Sequence, residues 1–159
     1  MRRTKDMFLV YRGEEELVVN GYTDTSFQTD VDDSMSQSGY VIMLNGDAIS
    51  WKSSKQDMVA HSTMEAEYYA TVEASIESVW IKQFITDLGV VPSVSSPLDL
   101  YSDNSGTIAI AKEPRNHQKT KHFMRWFHLI RQFIERGDIN LCRIHMDMNV
   151  ADPLTKPLT

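Results

Sequence analysis

Four acidic side chains lie at points where the sequence pattern changes from one predicted element to the next. Asp24 and Asp103 each end a short apolar run of the kind found in strands. Glu65 lies near the start of a long helical pattern, and Asp152 directly precedes a proline. Carboxylates without cysteine or histidine clusters suit Mg²⁺ or Mn²⁺ rather than zinc. The four acids are therefore predicted to converge on divalent metal.

Each acid also has an ordinary structural interpretation. Ser62 and Glu65 match a capping box, in which the glutamate caps the helix backbone. Asp24 fits an exposed acid at a strand end, Asp103 an N-cap or Asx-turn, and Asp152 an N-cap followed by proline. Taken singly, these interpretations stay open. Taken together they weaken, because neighbouring parallel strands in an α/β sheet share one ligand-binding crevice at their carboxyl ends.

The long helix carries two acids, and its apolar pattern selects between them. Glu65 and Glu67 are about 200° apart around a helix, so only one can point at a sheet. Tyr69, Val72 and Ile76 lie at i+4, i+7 and i+11 from Glu65. Glu65 is therefore predicted to be the inward acid. The same stripe continues through Val79, Trp80, Phe84 and Leu88.

Apolar periodicity predicts five strands and four helical segments. The sequence Asn45-Gly46 between two strands is typical of a hairpin turn. The order β-β-β-α-β-α-α-β-α indicates an α/β fold with a mixed five-stranded sheet flanked by helices. The predicted strands are 17–24, 39–44, 48–52, 98–103 and 139–146, and the predicted helices are 62–88, 104–112, 119–136 and a short final helix or tail at 151–158.

Composition limits the class of protein. The 159 residues favour one domain, and 42% hydrophobic with 24% charged residues is typical of a globular protein. A single cysteine, Cys142, excludes an internal disulfide and fits a reducing compartment. We expect no signal peptide and no membrane span. The net charge of −6 argues against a nonspecific nucleic-acid binder.

Positive charge is nevertheless concentrated in one stretch, residues 112–131, which carries a net charge of +5. A loop there leads into a helix start, an arrangement that suits phosphate contacts, although a solvated helix face is the simpler interpretation. Trp51 and Lys52 on the third strand are candidates for base stacking and charge, although core packing is the preferred alternative for the tryptophan. The charged residues of the stretch are Lys112, Glu113, Arg115, Lys119, Lys121, Arg125 and Arg131.

Several short motifs carry a family resemblance over residues 3–158. The sequence resembles the ribonuclease H domain at the end of the polyprotein of copia-type LTR retrotransposons. On that resemblance, residues 1–16 are a leader or connection that follows a reverse transcriptase region, and residues 17–159 are the ribonuclease H domain. The motifs are Gly21–Asp24, Ser38–Val41, Ile49–Gln56, Ser62–Tyr68, Tyr101–Asn104, Lys119–His122 and Val150–Leu158.

The resemblance implies a ribonuclease H-like fold and hydrolysis of the RNA strand of RNA–DNA hybrids. It implies two Mg²⁺ ions, or Mn²⁺ in their place, held by Asp24, Glu65, Asp103 and Asp152. The implied partners are the hybrid and the reverse transcriptase domain of the same polyprotein, in a cytoplasmic virus-like particle or in the nucleus. The implied substrate contacts are Asn104, Lys121 and His122, beside Trp51 and Lys52.

The sequence departs from the family pattern at Met64, where a small residue or threonine is usual, and at Met124 and Trp126, where polar or basic residues are frequent. Cellular ribonucleases H often have a mobile histidine before the last aspartate, and His145 is the nearest candidate, but the family that this sequence resembles does not rely on one. Two other functions are alternatives to the nuclease. One is a non-catalytic descendant that binds a host protein, and the other is an integrase or junction resolvase of the same superfamily. The intact set of four acids favours the nuclease.

Overall fold

The computed structural model describes residues 18–28, 34–89, 97–112 and 121–156, and the side chains of all of these except 121–124. The predicted leader at 1–16 lies outside the described residues. The elements are β1 (Val19–Ser26), β2 (Gln37–Leu44), β3 (Asp47–Lys55), α1 (Thr63–Asp87), β4 (Leu98–Ser102), α2 (Ser105–Lys112), α3 (Lys121–Glu135) and β5 (Ile139–Arg143). Two single 3₁₀ turns follow, Met146–Met148 and Asp152–Leu154, the second of which lies in the predicted final helix or tail.

The five strands form one mixed sheet, as predicted, in the order β3-β2-β1-β4-β5. The first three strands are antiparallel neighbours, whereas β1–β4 and β4–β5 are parallel pairs. The β2–β3 hairpin turns at Asn45 (φ 52°) and Gly46 (φ 84°). Two consecutive positive φ values define a type I′ turn, which asparagine and glycine tolerate best. The sequence prediction of this hairpin is confirmed.

The main core lies between the sheet and the helices. Leu100 of β4 and Leu141 of β5 are fully buried and share one cluster with Ile130 of α3. Tyr68 of α1 stacks on Phe127 of α3 with ring centroids 5.8 Å apart. The parallel strands are therefore covered by α1 and α3. None of the described helices combines the length and apolar character needed to cross a membrane.

The side of α1 that faces the sheet is not the predicted apolar stripe. Ile76, Trp80, Phe84 and Leu88 are between 44% and 60% exposed, so this part of the prediction is wrong. Small residues are buried instead, chiefly Ala66, Ala70, Ala74, Ser75 and Ser78.

The approach of α1 to the sheet explains the choice of small residues. A Cβ atom added to Gly21 of β1 would meet Leu100 Cδ1 at 2.9 Å, Ile42 Cδ1 at 3.0 Å and Ser78 Oγ at 3.4 Å. At this separation no large side chain fits between helix and strand. The helix therefore places small residues against β1, whereas its buried large residues, Tyr68, Val72 and Ile81, belong to the main core cluster.

Candidate metal centre

Asp24 and Asp103 are brought together by the parallel pairing of β1 and β4. Tyr22 of β1 lies opposite Tyr101 of β4, and their rings stack with centroids 5.1 Å apart. Asp24 lies two residues after Tyr22 in β1, Asp103 directly follows the end of β4, and their carboxylates come within 4.8 Å of each other. Asp24 is buried and Asp103 half-buried. The prediction that these two strand-end acids are neighbours holds in the structure.

The third acid of the cluster is Glu67 of α1, not Glu65. Asp24, Glu67 and Asp103 each offer one carboxylate oxygen, and the three oxygens lie within 4.8 Å of one another. Glu65 instead accepts a hydrogen bond from the backbone N–H of His61 at 2.8 Å, while its own N–H donates to Ser62 Oγ at 3.2 Å. The capping interpretation of Glu65 is therefore the correct one.

The inward acid follows from the polar stripe of α1. Glu67 is the first of four buried polar residues at helical spacing, and Thr71, Ser75 and Ser78 follow it. The three hydroxyl groups donate to backbone carbonyls four residues earlier, at 2.6–2.8 Å, so they are buried without loss of hydrogen bonding. A count of hydroxyls and alanines every three or four residues would have selected Glu67 from the sequence.

Burial and mutual repulsion disfavour negative charge in this cluster. Desolvation, with the charges of Asp24 and Asp103, raises the pKa of Glu67 from 4.5 to about 8. The pKa of Asp24 is also raised, first by burial and then by the charges of Asp103 and Asp152, whereas a hydrogen bond from Thr155 opposes the shift. Both effects are those expected of acids gathered without a compensating cation.

The cluster is suited to a divalent cation. Among the described residues, Glu67 Oε2 is buried and has no hydrogen-bond partner. A buried carboxylate oxygen without a donor is costly unless a cation meets it. Three carboxylates from two strand ends and a helix supply hard oxygen ligands of the type that Mg²⁺ and Mn²⁺ prefer.

Asp152 lies beside this cluster rather than within it. The Thr155 hydroxyl lies 2.5 Å from Asp24 Oδ2 and 2.9 Å from the backbone oxygen of Asp152, which places the two acids near each other. Both Asp152 oxygens contact the Lys156 ammonium, at 2.6 and 2.7 Å. The fourth predicted acid therefore borders the site, with a lysine as its counter-ion.

The segment after β5 packs on the sheet next to Asp24. Thr155 donates a 2.5 Å hydrogen bond to Asp24 Oδ2, and Asn149 donates from its side chain to Thr23 O at 3.0 Å. Gly39 of β2 permits the close fit, because a Cβ there would meet Leu154 Cβ at 2.8 Å. Sequence reasoning missed Thr155 and Asn149, whose roles depend on contacts 126 or more residues away along the chain.

The predicted substrate residues are spread over different surroundings. Asn104 accepts a hydrogen bond from Thr107 N at 3.0 Å, which caps α2, and its side-chain amide nitrogen is not used in that bond. Trp51 is 58% exposed, so the alternative of core packing is wrong. Lys52 forms an ion pair with Glu73 at 2.8 Å.

The remaining predicted contacts are only partly described. Lys121 and His122 begin α3, but their side chains lie outside the described part of the structure. Most of the basic run at 112–131 lies outside it as well. His145 is exposed and accepts a 3.4 Å hydrogen bond from Asp147 N through Nδ1.

Comparison with known proteins shows what the chain is related to. The sequence is 35% identical over 144 residues to the retrovirus-related Pol polyprotein from transposon TNT 1-94 of Nicotiana tabacum. It is 33% identical over 156 residues to the corresponding polyprotein from transposon RE2 of Arabidopsis thaliana. LC11-RNase H1 and the foamy viral protease-reverse transcriptase have the same fold. The chain is a ribonuclease H-fold relative of retrotransposon Pol polyproteins.

This ribonuclease H-like chain covers its relatives unequally. The two sequence matches include 91% and 98% of the chain but only 11% of each polyprotein, so the chain spans about a tenth of the curated relatives' length. No protein-family model matches it.

The structural neighbours support the fold assignment. LC11-RNase H1 in complex with RNA/DNA hybrid aligns with a TM-score of 0.62 at 17% identity, over 86% of this chain and 92% of that one. The foamy viral protease-reverse transcriptase, also in complex with hybrid, aligns with a TM-score of 0.61 at 18% identity, over 95% of this chain and 21% of that one. At these identities the likeness establishes a ribonuclease H fold and nothing further.

Proposed function

We propose that this ribonuclease H-like chain is a metal-dependent endonuclease that hydrolyses the RNA strand of RNA–DNA hybrids during reverse transcription of a copia-type retrotransposon. The observation that supports it most is the meeting of Asp24, Glu67 and Asp103 oxygens within 4.8 Å. An RNA–DNA hybrid as substrate is suggested by the two structural neighbours, which were solved with one bound.

The proposed cofactor is a pair of Mg²⁺ ions, with Mn²⁺ as a substitute. Such a pair, when bound, supplies positive charge that activates the attacking water and stabilises the leaving 3′-oxygen. Asp24, Glu67 and Asp103 are proposed as ligands. Asp152 is proposed as a further ligand that would exchange its contact with Lys156 for one with the metal. The products would have 5′-phosphate and 3′-hydroxyl ends.

The chain's own residues would prepare the site and hold the nucleic acid. Thr155 keeps Asp24 oriented by its hydrogen bond. Asn104 directly follows Asp103 and caps α2 through its side-chain oxygen rather than its nitrogen, and Lys121 and His122 belong to the basic stretch 112–131, so we propose all three as hybrid contacts. Trp51 and Lys52 remain candidates for contacts further along the hybrid.

The proposed setting follows from the relatives. The matches to Pol polyproteins suggest that a reverse transcriptase region of the same polyprotein is the partner. A cytoplasmic virus-like particle is the proposed location, with the nucleus as the alternative.

The sharpest test compares the two neighbouring glutamates of α1. With a labelled hybrid in Mg²⁺ or Mn²⁺ at low salt, we expect Glu67→Gln to lower the cleavage rate at least a hundredfold, because it removes a ligand. Glu65→Gln is the matched control and should keep most of the activity, since the glutamate caps the helix. Asp24→Asn and Asp103→Asn should behave like Glu67→Gln.

Two results would contradict the proposal. One is a wild-type chain that cuts no hybrid at high protein concentration in either metal. The other is a Glu67→Gln variant as active as Glu65→Gln.

A second candidate function rests on a different surface. The exposed apolar face of α1, formed by Ile76, Trp80, Phe84 and Leu88, includes a stacked Trp80–Phe84 pair with centroids 5.4 Å apart. Large exposed apolar patches often mark interaction surfaces. A ribonuclease H-like module that binds a host protein without cutting nucleic acid would use this face. Glu67→Gln would leave such binding unaffected.

A further inference from the structure

Gln56, which directly follows β3, is a buried polar residue at the centre of a small hydrogen-bond network. Gln56 is only 3% exposed. Its amide nitrogen donates to Ser38 Oγ at 2.7 Å, to Ala66 O at 2.9 Å and to Thr25 Oγ1 at 3.3 Å. Its backbone N–H donates to Ser36 O at 2.8 Å, which fixes where the side chain starts.

The partners of Gln56 adjoin the metal-binding acids. Thr25 follows Asp24 in β1, and Ala66 precedes Glu67 in α1. Ser38 of β2 lies opposite Thr25 in the antiparallel register. The amide therefore joins β1, β2 and the first turns of α1 at the positions next to two of the three clustered carboxylates.

The chemistry of these contacts requires an amide. All three partners accept hydrogen bonds from the same amide nitrogen. This nitrogen has two hydrogens, so one of them is shared between two acceptors. A methionine has similar length but donates no hydrogen bond, so it would leave the buried Ala66 carbonyl without this donor. Asp24 and Glu67 repel each other when ionised, and the hydrogen bonds of Gln56 to Thr25 and Ala66 oppose this repulsion by linking β1 to α1 beside them.

We propose that Gln56 is a positioning residue of the metal centre, whose side-chain amide holds α1 against β1 and so sets the separation of Asp24 and Glu67. The inference rests on the proposed metal-binding function. Gln56 touches neither metal nor nucleic acid in this scheme. It acts through the backbone of Ala66 and the hydroxyl of Thr25, as residues that orient metal ligands from behind commonly do.

The test measures metal binding separately from cleavage. Wild type, Gln56→Met and Gln37→Met are titrated with Mn²⁺, and free Mn²⁺ is followed by electron paramagnetic resonance well below the unfolding midpoint of each variant. Gln37→Met is the matched control, because the Gln37 amide also donates to a hydroxyl, Ser53 Oγ at 3.0 Å, but joins no element that carries a clustered acid.

We expect Gln56→Met to bind Mn²⁺ about tenfold or more weakly, the usual effect of removing a residue that orients a metal ligand. Its hybrid cleavage should recover as the Mn²⁺ concentration is raised, whereas Gln37→Met should match wild type in both measurements. A purely structural role would instead lower the unfolding midpoint without changing Mn²⁺ affinity, and that result would overturn the proposal.

A second variant covers the case in which Gln56→Met does not fold. Thr25→Val keeps the side-chain shape and removes one acceptor of the amide, and it should weaken Mn²⁺ binding in the same direction but less. Unchanged affinity in this variant would then count against the proposal.

The outcomes for the two proposals can be told apart. A wild type that binds Mn²⁺ but cuts no hybrid contradicts the nuclease, while the affinity of the Gln56 variant still decides the positioning role. A wild type that binds no Mn²⁺ overturns both.

Discussion

Among single side chains, Glu67 is the one whose protonation should control the stability of the metal-free protein. Its folded pKa is raised from 4.5 to about 8, mainly by burial. Between pH 4.5 and about 8, the folded state therefore keeps a proton that the unfolded state has lost. The contribution of this proton to the free energy of unfolding is fully present below about pH 4.5. It should fall as pH rises toward 8, by up to about 1.4 kcal/mol per pH unit.

Urea denaturation in a chelator at a series of pH values measures this dependence. Glu67→Gln should reduce the slope, because the amide does not titrate, and the part that remains is expected from Asp24, whose pKa is also raised by burial. Glu65→Gln should leave the wild-type slope in place. A Glu67→Gln variant with an undiminished slope would show that another group is responsible.

Among the elements, α1 is defined by close packing of its small residues on β1. Gly21→Ala should destabilise the protein by about 1–3 kcal/mol, since the new Cβ would lie 2.9 Å from Leu100 Cδ1 and 3.0 Å from Ile42 Cδ1. The free energy of unfolding from urea denaturation gives the measurement.

Trp80→Ser serves as the comparison on the other face of the helix. Trp80 is a much larger residue, but it is exposed, so we expect a loss well below that of Gly21→Ala. The reverse ranking would mean that the exposed face of α1 is covered in solution.

For the molecule as a whole, the metal centre links distant parts of the chain. The clustered acids come from β1, α1 and the end of β4, and Asp152 comes from the segment after β5. A ligand that binds only the folded state stabilises it, by about 2.7 kcal/mol at a hundred times its dissociation constant. We expect Mn²⁺ to raise the thermal unfolding midpoint of the wild type.

A chelator should reverse this shift, and Glu67→Gln should remove most of it. K⁺ at the same ionic strength controls for screening of the repelling acids. An equal shift with K⁺ would show that screening, rather than coordination, stabilises the protein.

Much of the fold could be predicted from local patterns. Alternating and apolar runs located all five strands, and the Asn45-Gly46 turn identified the hairpin. Strand-end positions likewise placed Asp24 and Asp103 together, because parallel neighbours bring their carboxyl ends to one edge.

What the sequence alone determined was therefore the order of elements, the mixed sheet and two of the acids. Tertiary packing decided the rest. Apolar periodicity on α1 selected Glu65, but α1 packs small residues such as Ser78 against β1, and this orientation turns Glu67 inward and Trp80 and Phe84 outward. The contacts of Gln56 and Thr155 with the site depend on segments that meet only after folding, so no local pattern could reveal them.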